Sequence, residues 1–136
     1  MMFVIDTSVA MAWCFEDEAT PATDSVLDLL GNDQVVVPAI WPLEVANVLL
    51  VAERRGRLTE AQASRFLELL AQLPINVDTS PTDMAGIVAT GRRHTLSSYD
   101  AAYLLLAERL GATLATLDKP LAKAARKAGV QLLITP

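Results

Sequence analysis

The sequence predicts one α/β domain built on a mostly parallel sheet of about five strands, and three observations predict it. Short apolar runs of strand length alternate along the chain with longer segments of helical character. Each run is continuously apolar rather than alternating, which is the pattern of strands covered on both faces. The length, 136 residues, is near the commonest size for one domain. No internal repeat, low-complexity stretch or linker interrupts it, so residues 1–136 read as a single domain.

The elements follow in order. Met2-Phe3-Val4-Ile5 is apolar up to Asp6 and reads as the first strand. Val9 to Phe15 and Val26 to Leu30 look helical, the second closed by Gly31-Asn32. Val35-Val36-Val37 is β-branched and ends at Pro38, which makes it strand two. Pro42 suits the first turn of a helix that carries Glu44 and runs to about Arg55, with Gly56 as its stop. Thr59 caps a helix reaching Leu73, Pro74 lies beyond it, and Ile75-Asn76-Val77 is a short third strand. A helix spans about Thr82 to Gly91, and Ser97 or Ser98 starts a strongly apolar one, Ala101 to Leu110, stopped by Gly111. Ala112 to Leu117 reads as strand four, Asp118-Lys119-Pro120 opens a helix ending at Ala128-Gly129, and Val130 to Ile134 is strand five.

Apolar residues make up 52% of the chain and mean hydropathy is +0.35. This is high for a domain in water and suggests that another chain covers some of the apolar surface. A membrane span is not the cause: Val35 to Leu43, the longest uncharged apolar stretch, is interrupted by Pro38 and Pro42 and is too short to cross a bilayer. The chain reaches Asp6 with no basic segment or cleavage signature before it, so a cytoplasmic location is expected. Cys14 is the only cysteine and sits in an apolar run, which excludes an intrachain disulfide and a Cys-based metal site. His94 is the only histidine, between Arg93 and Thr95 in a polar segment. A solvated loop residue is the simpler reading for it, with a titrating role left open by its near-neutral pKa. The net charge of −5 argues at first against a polyanionic substrate. Grouped acids holding divalent cations would invert that local field.

Four acids have the right places for this. Sites in open parallel sheets form beyond the carboxyl ends of the strands. Asp6 ends strand one and Asp118 ends strand four, while Glu44 and Asp100 lie in first turns of helices. Each also has an ordinary structural job. Asp6 before Thr7-Ser8 can cap the next helix, Glu44 can complement a helix dipole, Asp100 three residues after Ser97 fits a capping box, and Asp118 is a turn starter. Glu44 is the hardest to dismiss, because Ile40-Trp41-Pro42-Leu43-Glu44-Val45-Ala46 would bury an unpaired carboxylate at a cost that a cation would remove. Hard cations such as Mg²⁺ and Mn²⁺ take oxygen ligands, and carboxylates around one or two such ions suit phosphodiester hydrolysis without a histidine base.

Four segments together carry a resemblance: Phe3-Val4-Ile5-Asp6-Thr7-Ser8, Pro42-Leu43-Glu44-Val45-Ala46-Asn47, Ser98-Tyr99-Asp100-Ala101-Ala102-Tyr103 and Ala115-Thr116-Leu117-Asp118-Lys119-Pro120-Leu121. In this order they resemble the PIN-domain ribonucleases, and most of all the VapC toxins of type II toxin–antitoxin systems. The resemblance implies a three-layer α/β/α domain and a Mg²⁺-dependent endoribonuclease, with Mn²⁺ as a substitute, acting on tRNA or rRNA. It implies that Asp6 and Asp100 are the principal metal ligands. Glu44 and Asp118 would complete the cluster directly or through water, with Thr116 in support by hydrogen bonding. It further implies a homodimer and a hetero-oligomer with a cognate antitoxin that inhibits by covering the active site.

For RNA contact the residues themselves offer Lys119, Lys123, Arg126 and Lys127, which recur at helical spacing beside Asp118. A solvated helix face explains the same pattern. Arg92 and Arg93 are a weaker candidate, and Arg54-Arg55-Gly56-Arg57 reads as a helix end. Val45 to Ala52 is apolar almost all round, so it is expected to be buried on more than one side, within the core or against a second chain. Trp13 and Trp41 sit in apolar runs as core or interface residues, and aromatics at 5% leave little for base stacking. Three other readings stay open. They are an RNA-processing nuclease of the same fold without an antitoxin, a non-catalytic protein-binding module, and a phosphoryl-receiver domain in which Asp78 ends strand three as the acceptor.

Overall fold

A computed structural model describes all 136 residues. Five strands, β1 (Met2–Ile5), β2 (Gln34–Val37), β3 (Ile75–Val77), β4 (Thr113–Ala115) and β5 (Leu132–Ile134), form one sheet in the order β3-β2-β1-β4-β5. Every pairing is parallel. Seven helices connect them: α1 (Thr7–Cys14), α2 (Pro21–Leu29), α3 (Trp41–Arg54), α4 (Glu60–Ala71), α5 (Met84–His94), α6 (Ser98–Leu110) and α7 (Lys119–Ala128). Neighbouring strand residues point to opposite faces, yet Phe3, Val4 and Ile5 are all fully buried. Helices therefore cover both faces, giving the expected three layers. No helix is long and apolar enough to cross a membrane.

The strand order positions the site. From β1 the chain builds outward to β2 and β3, then returns to place β4 and β5 on the other side of β1. The reversal leaves a crevice beyond the carboxyl ends of β1 and β4, the place where open α/β sheets bind ligands. Asp6 follows β1 directly, and its N–H donates to the Ala115 carbonyl at the end of β4 at 3.2 Å. The receiver-like alternative fails on the same topology. β3 is an edge strand, away from β1, and Asp78 is held by Arg109 at 2.6 Å.

Several boundaries differ from the sequence reading. α2 begins at Pro21, earlier than Val26, because Thr20 and Thr23 form a reciprocal capping box. β4 stops at Ala115 and β5 begins at Leu132, so both are shorter than expected. Asp118 accordingly stands three residues past β4 and caps α7 instead of ending the strand. α5 continues through Gly91 to His94, which is the last residue of that helix and not a loop residue. α3 is buried along one face, through Trp41, Val45, Leu49 and Ala52, while Leu43 and Leu50 are 67% and 49% exposed. The apolar helix is thus not wedged inside the core of this chain, and its outer face is free.

Candidate active site

Asp6 lies at the centre, 4% exposed, beyond the middle strand. Its carboxylate is the side-chain cap of α1, accepting from the Val9 N–H at 3.3 Å, so the capping job assigned to it is real. The same oxygen accepts from the Ser8 hydroxyl at 2.5 Å, and the other accepts from the fully buried Thr116 hydroxyl. Ser8 and Thr116 each tie the centre to the segment after β4: Ser8 Oγ accepts from the Leu117 N–H and Thr116 Oγ1 from the Asp118 N–H, both at 2.9 Å. Burial pushes the Asp6 carboxyl up from the ordinary 3.8 to about 6, against the downward pull of the Ser8, Thr116 and Val9 hydrogen bonds, and the charge of Asp118 adds a smaller upward push.

Asp118 uses one oxygen to cap α7, accepting from the Leu121 N–H at 2.9 Å. Asp100 is half-buried in the first turn of α6, whose cap is Ser97, with the Ser97 hydroxyl accepting from the Asp100 N–H at 3.1 Å. Its carboxyl is held above the usual range by burial first, and then by the negative charges of Asp118 and Glu44. Glu44 is half-buried rather than sealed among apolar groups, and a phenol meets its carboxylate. The Tyr103 hydroxyl donates to Glu44 Oε1 at 2.5 Å, and the Thr7 hydroxyl lies 3.2 Å from the same oxygen and 3.0 Å from the Tyr103 oxygen. Burial, followed by the bond to Glu44, raises the Tyr103 pKa, so the phenol keeps its proton.

The four acids are thus electrical neighbours, but they do not form a closed cluster: no three His, Cys, Asp or Glu side chains stand ready to grip one metal ion. The reason is visible in what holds each one. Asp6 is fixed by three donors, Glu44 by Tyr103, and Asp118 by its cap. In donor type the set suits a hard divalent cation, being all oxygen and all acid. The raised Asp6 and Asp100 carboxyls point the same way, since a cation would relieve the repulsion and desolvation that raise them.

Thr116 has the supporting place expected of it. Ser8, Thr7 and Tyr103 were not singled out from the sequence as partners of the acids. Two of them adjoin Asp6, and Tyr103 stands three residues after Asp100 on the same helical face, which is the only sequence signal they carry. Lys119, Lys123, Arg126 and Lys127 are all exposed on α7. An apolar groove of about 660 Å³ lies between the segments after β2 and β3, α5 and α6, with Met84 and Tyr99 77% and 56% exposed along it; Asp100 does not line it.

Comparison with known proteins gives the same fold and a class of relatives. The family model for the PIN domain matches residues 3–127. Ribonuclease VapC3 of Pyrobaculum aerophilum is 32% identical over 125 residues, covering 90% of this chain and 94% of that protein. Ribonuclease VapC3 of Mycobacterium tuberculosis is 40% identical over 95 residues, 70% of this chain and 68% of that protein. The crystal structure of VapBC2 from Rickettsia felis, bound to a DNA fragment from its promoter, superposes with a TM-score of 0.69 at 14% identity, covering 99% of this chain and 98% of that one.

Proposed function

The chain belongs to the PIN domain family, and from that premise we propose that it is a Mg²⁺-dependent endoribonuclease, the toxin of a type II toxin–antitoxin pair. Mn²⁺ serves as a substitute ion, and a tRNA or an rRNA loop is the target. The observation that carries the reading is the grouping of Asp6, Glu44, Asp100 and Asp118 around the crevice beyond β1 and β4, in a chain whose relatives are named ribonucleases. Asp6 and Asp100 would be the main ligands, with Glu44 and Asp118 direct or through water. Bound there, Mg²⁺ would supply a Lewis acid that lowers the pKa of an attacking water and neutralises charge on the phosphate.

The chain's own residues prepare that site. Ser8 and Thr116 hold Asp6 in one orientation, and Tyr103 and Thr7 hold Glu44. Because Tyr103 keeps its proton, it is a donor that fixes the carboxylate and not a base. The exposed apolar face of α3 and the apolar groove between α5 and α6 support protein partners, an antitoxin and a second copy of the chain. The test is incubation of the purified chain, freed of co-purifying protein, with total RNA in Mg²⁺, in Mn²⁺ and in EDTA, beside Asp6→Asn and Asp100→Asn. Discrete cleavage that needs the ion and is lost in both variants is expected. Absence of cleavage by a folded parent chain that binds the ion would refute the enzyme reading and leave a binding module.

A further inference from the structure

We propose that the exposed face of α7 is a phosphate track for single-stranded RNA, running from Asp118 to the far end of that helix. The inference rests on the ribonuclease reading and extends it to where the strand lies outside the acidic centre. Charge segregation is the first observation. α7 carries Lys119, Lys123, Arg126 and Lys127 and no acid. The remainder of the chain has seven basic and sixteen acidic residues. All three lysines of the protein are on this one helix.

The second observation is that these cations are unspent. All four are exposed and none enters an ion pair, whereas Arg57 is engaged by Asp17 and Glu18 and Arg109 by Asp78. Dipole complementation accounts for Arg126 and Lys127, which lie in the last turn. It cannot account for Lys119, the first residue of the helix, where the dipole disfavours a positive charge. At about 1.5 Å per residue, Lys119, Lys123 and the Arg126-Lys127 pair are spaced about 5–6 Å apart along the axis. The cations are therefore strung along the helix rather than clustered. Leu121, Ala122, Ala124 and Ala125 are buried on the opposite face and hold the helix against the domain, so the track is rigid. Where α7 ends, a depression of about 460 Å³ opens, bounded by Arg126, Gly129, Gln131 and Thr135 among others, with room for the strand to continue.

The test separates binding from cleavage. A labelled 20-nucleotide single-stranded RNA of mixed sequence is titrated, in EDTA and at several salt concentrations, with the Asp100→Asn chain. It is titrated likewise with the same chain carrying Lys119→Gln, Lys123→Gln, Arg126→Gln and Lys127→Gln. A control carries Arg54→Gln, Arg55→Gln, Arg92→Gln and Arg93→Gln, which gives the same net charge from exposed positions elsewhere. Each phosphate contact contributes a slope of about 0.7 in log affinity against log salt, so loss of four lowers the slope by about 2.8. Between 50 and 200 mM salt the unsubstituted track should then lose about 50-fold more affinity than the α7 variant. Gln keeps a helix propensity close to that of Lys, and circular dichroism checks that the fold persists. An unchanged slope, equal losses in the control, or no binding by the parent would each overturn the inference. With all acids intact, cleavage of total RNA by the α7 variant as fast as by the parent would sink the track alone; a parent that cleaves nothing sinks the ribonuclease reading itself.

Discussion

Replacing Asp6 by Asn in protein freed of divalent ions is expected to stabilise the fold near pH 7.5, although it removes a residue assigned to the chemistry. The folded-state pKa of Asp6 is about 6 against an ordinary 3.8. Because the folded value is the higher one, folding is favoured most below pH 3.8, and the advantage is lost as pH rises through 6. Above that the fold carries a buried, ionised carboxylate. A separation of about two pH units at about 1.4 kcal/mol each puts the cost near 3 kcal/mol. Asn keeps an oxygen to accept from Ser8 and Val9, but its amide is a donor where Thr116 now donates, so the Thr116 hydroxyl must reorient at a cost of about 1 kcal/mol. The net gain is about 2 kcal/mol at pH 7.5, vanishing or reversing by pH 4. Urea unfolding in EDTA at the two pH values measures it, and Mg²⁺ should then stabilise the parent and not the variant. Destabilisation by Asn of equal size at both pH values would show that burial of the Asp6 charge is not what governs this centre.

Tyr103→Phe removes the donor at 2.5 Å from Glu44. A loss of about 1–2 kcal/mol in unfolding free energy is expected, with a fall in cleavage that exceeds it, read from denaturation and from initial rates on one RNA. Thr116→Val keeps shape while deleting both the bond to Asp6 and the acceptor for the Asp118 N–H; it should cost about 2–3 kcal/mol and abolish cleavage, whereas Thr116→Ser should retain most of both. Equal behaviour of the Val and Ser variants would remove the hydroxyl from the account.

Much of the fold was legible because its punctuation is local. Thr59, Pro42, Gly111 and Gly129 act on the backbone within a turn, and each stands where the sequence reading put it. Gly91 was misleading for a physical reason. It is not a stop; a Cβ there would come within 3.0 Å of the Leu96 carbonyl, so glycine serves a close approach inside α5. The turn falls instead to Thr95, in the left-handed region at φ 54°. The acids were legible as types in places, and their crevice follows from the strand order. Of their partners, only Thr116 was expected, and through the family resemblance alone. That Tyr103 would reach Glu44 across 59 positions is decided by how α6 and α3 pack, which no local pattern records. The half-exposed state of α3 was hidden for the opposite reason: an apolar sequence does not say whether its cover belongs to the same chain.

Capping and chemistry are compatible jobs in this centre, and their overlap accounts for where the acids sit. Asp6 and Asp118 cap α1 and α7, while Glu44 and Asp100 lie in the first turns of α3 and α6. α1, α3 and α7 leave the carboxyl ends of their strands, and α6 ends at Leu110 just before β4 begins, so its start also lies at that edge. Four helix starts therefore turn their positive ends toward four carboxylates. Each offers at most about half a unit charge, so together they offset at most about two of the four negative charges. The remainder weighs on Asp6 and Asp100, whose carboxyls are raised, in both cases by burial first and then by neighbouring acids. A residual of at least about two negative charges leaves a demand that one or two divalent cations would meet. On the function proposed here, the fold is organised to be incomplete without the charge of the metal it uses.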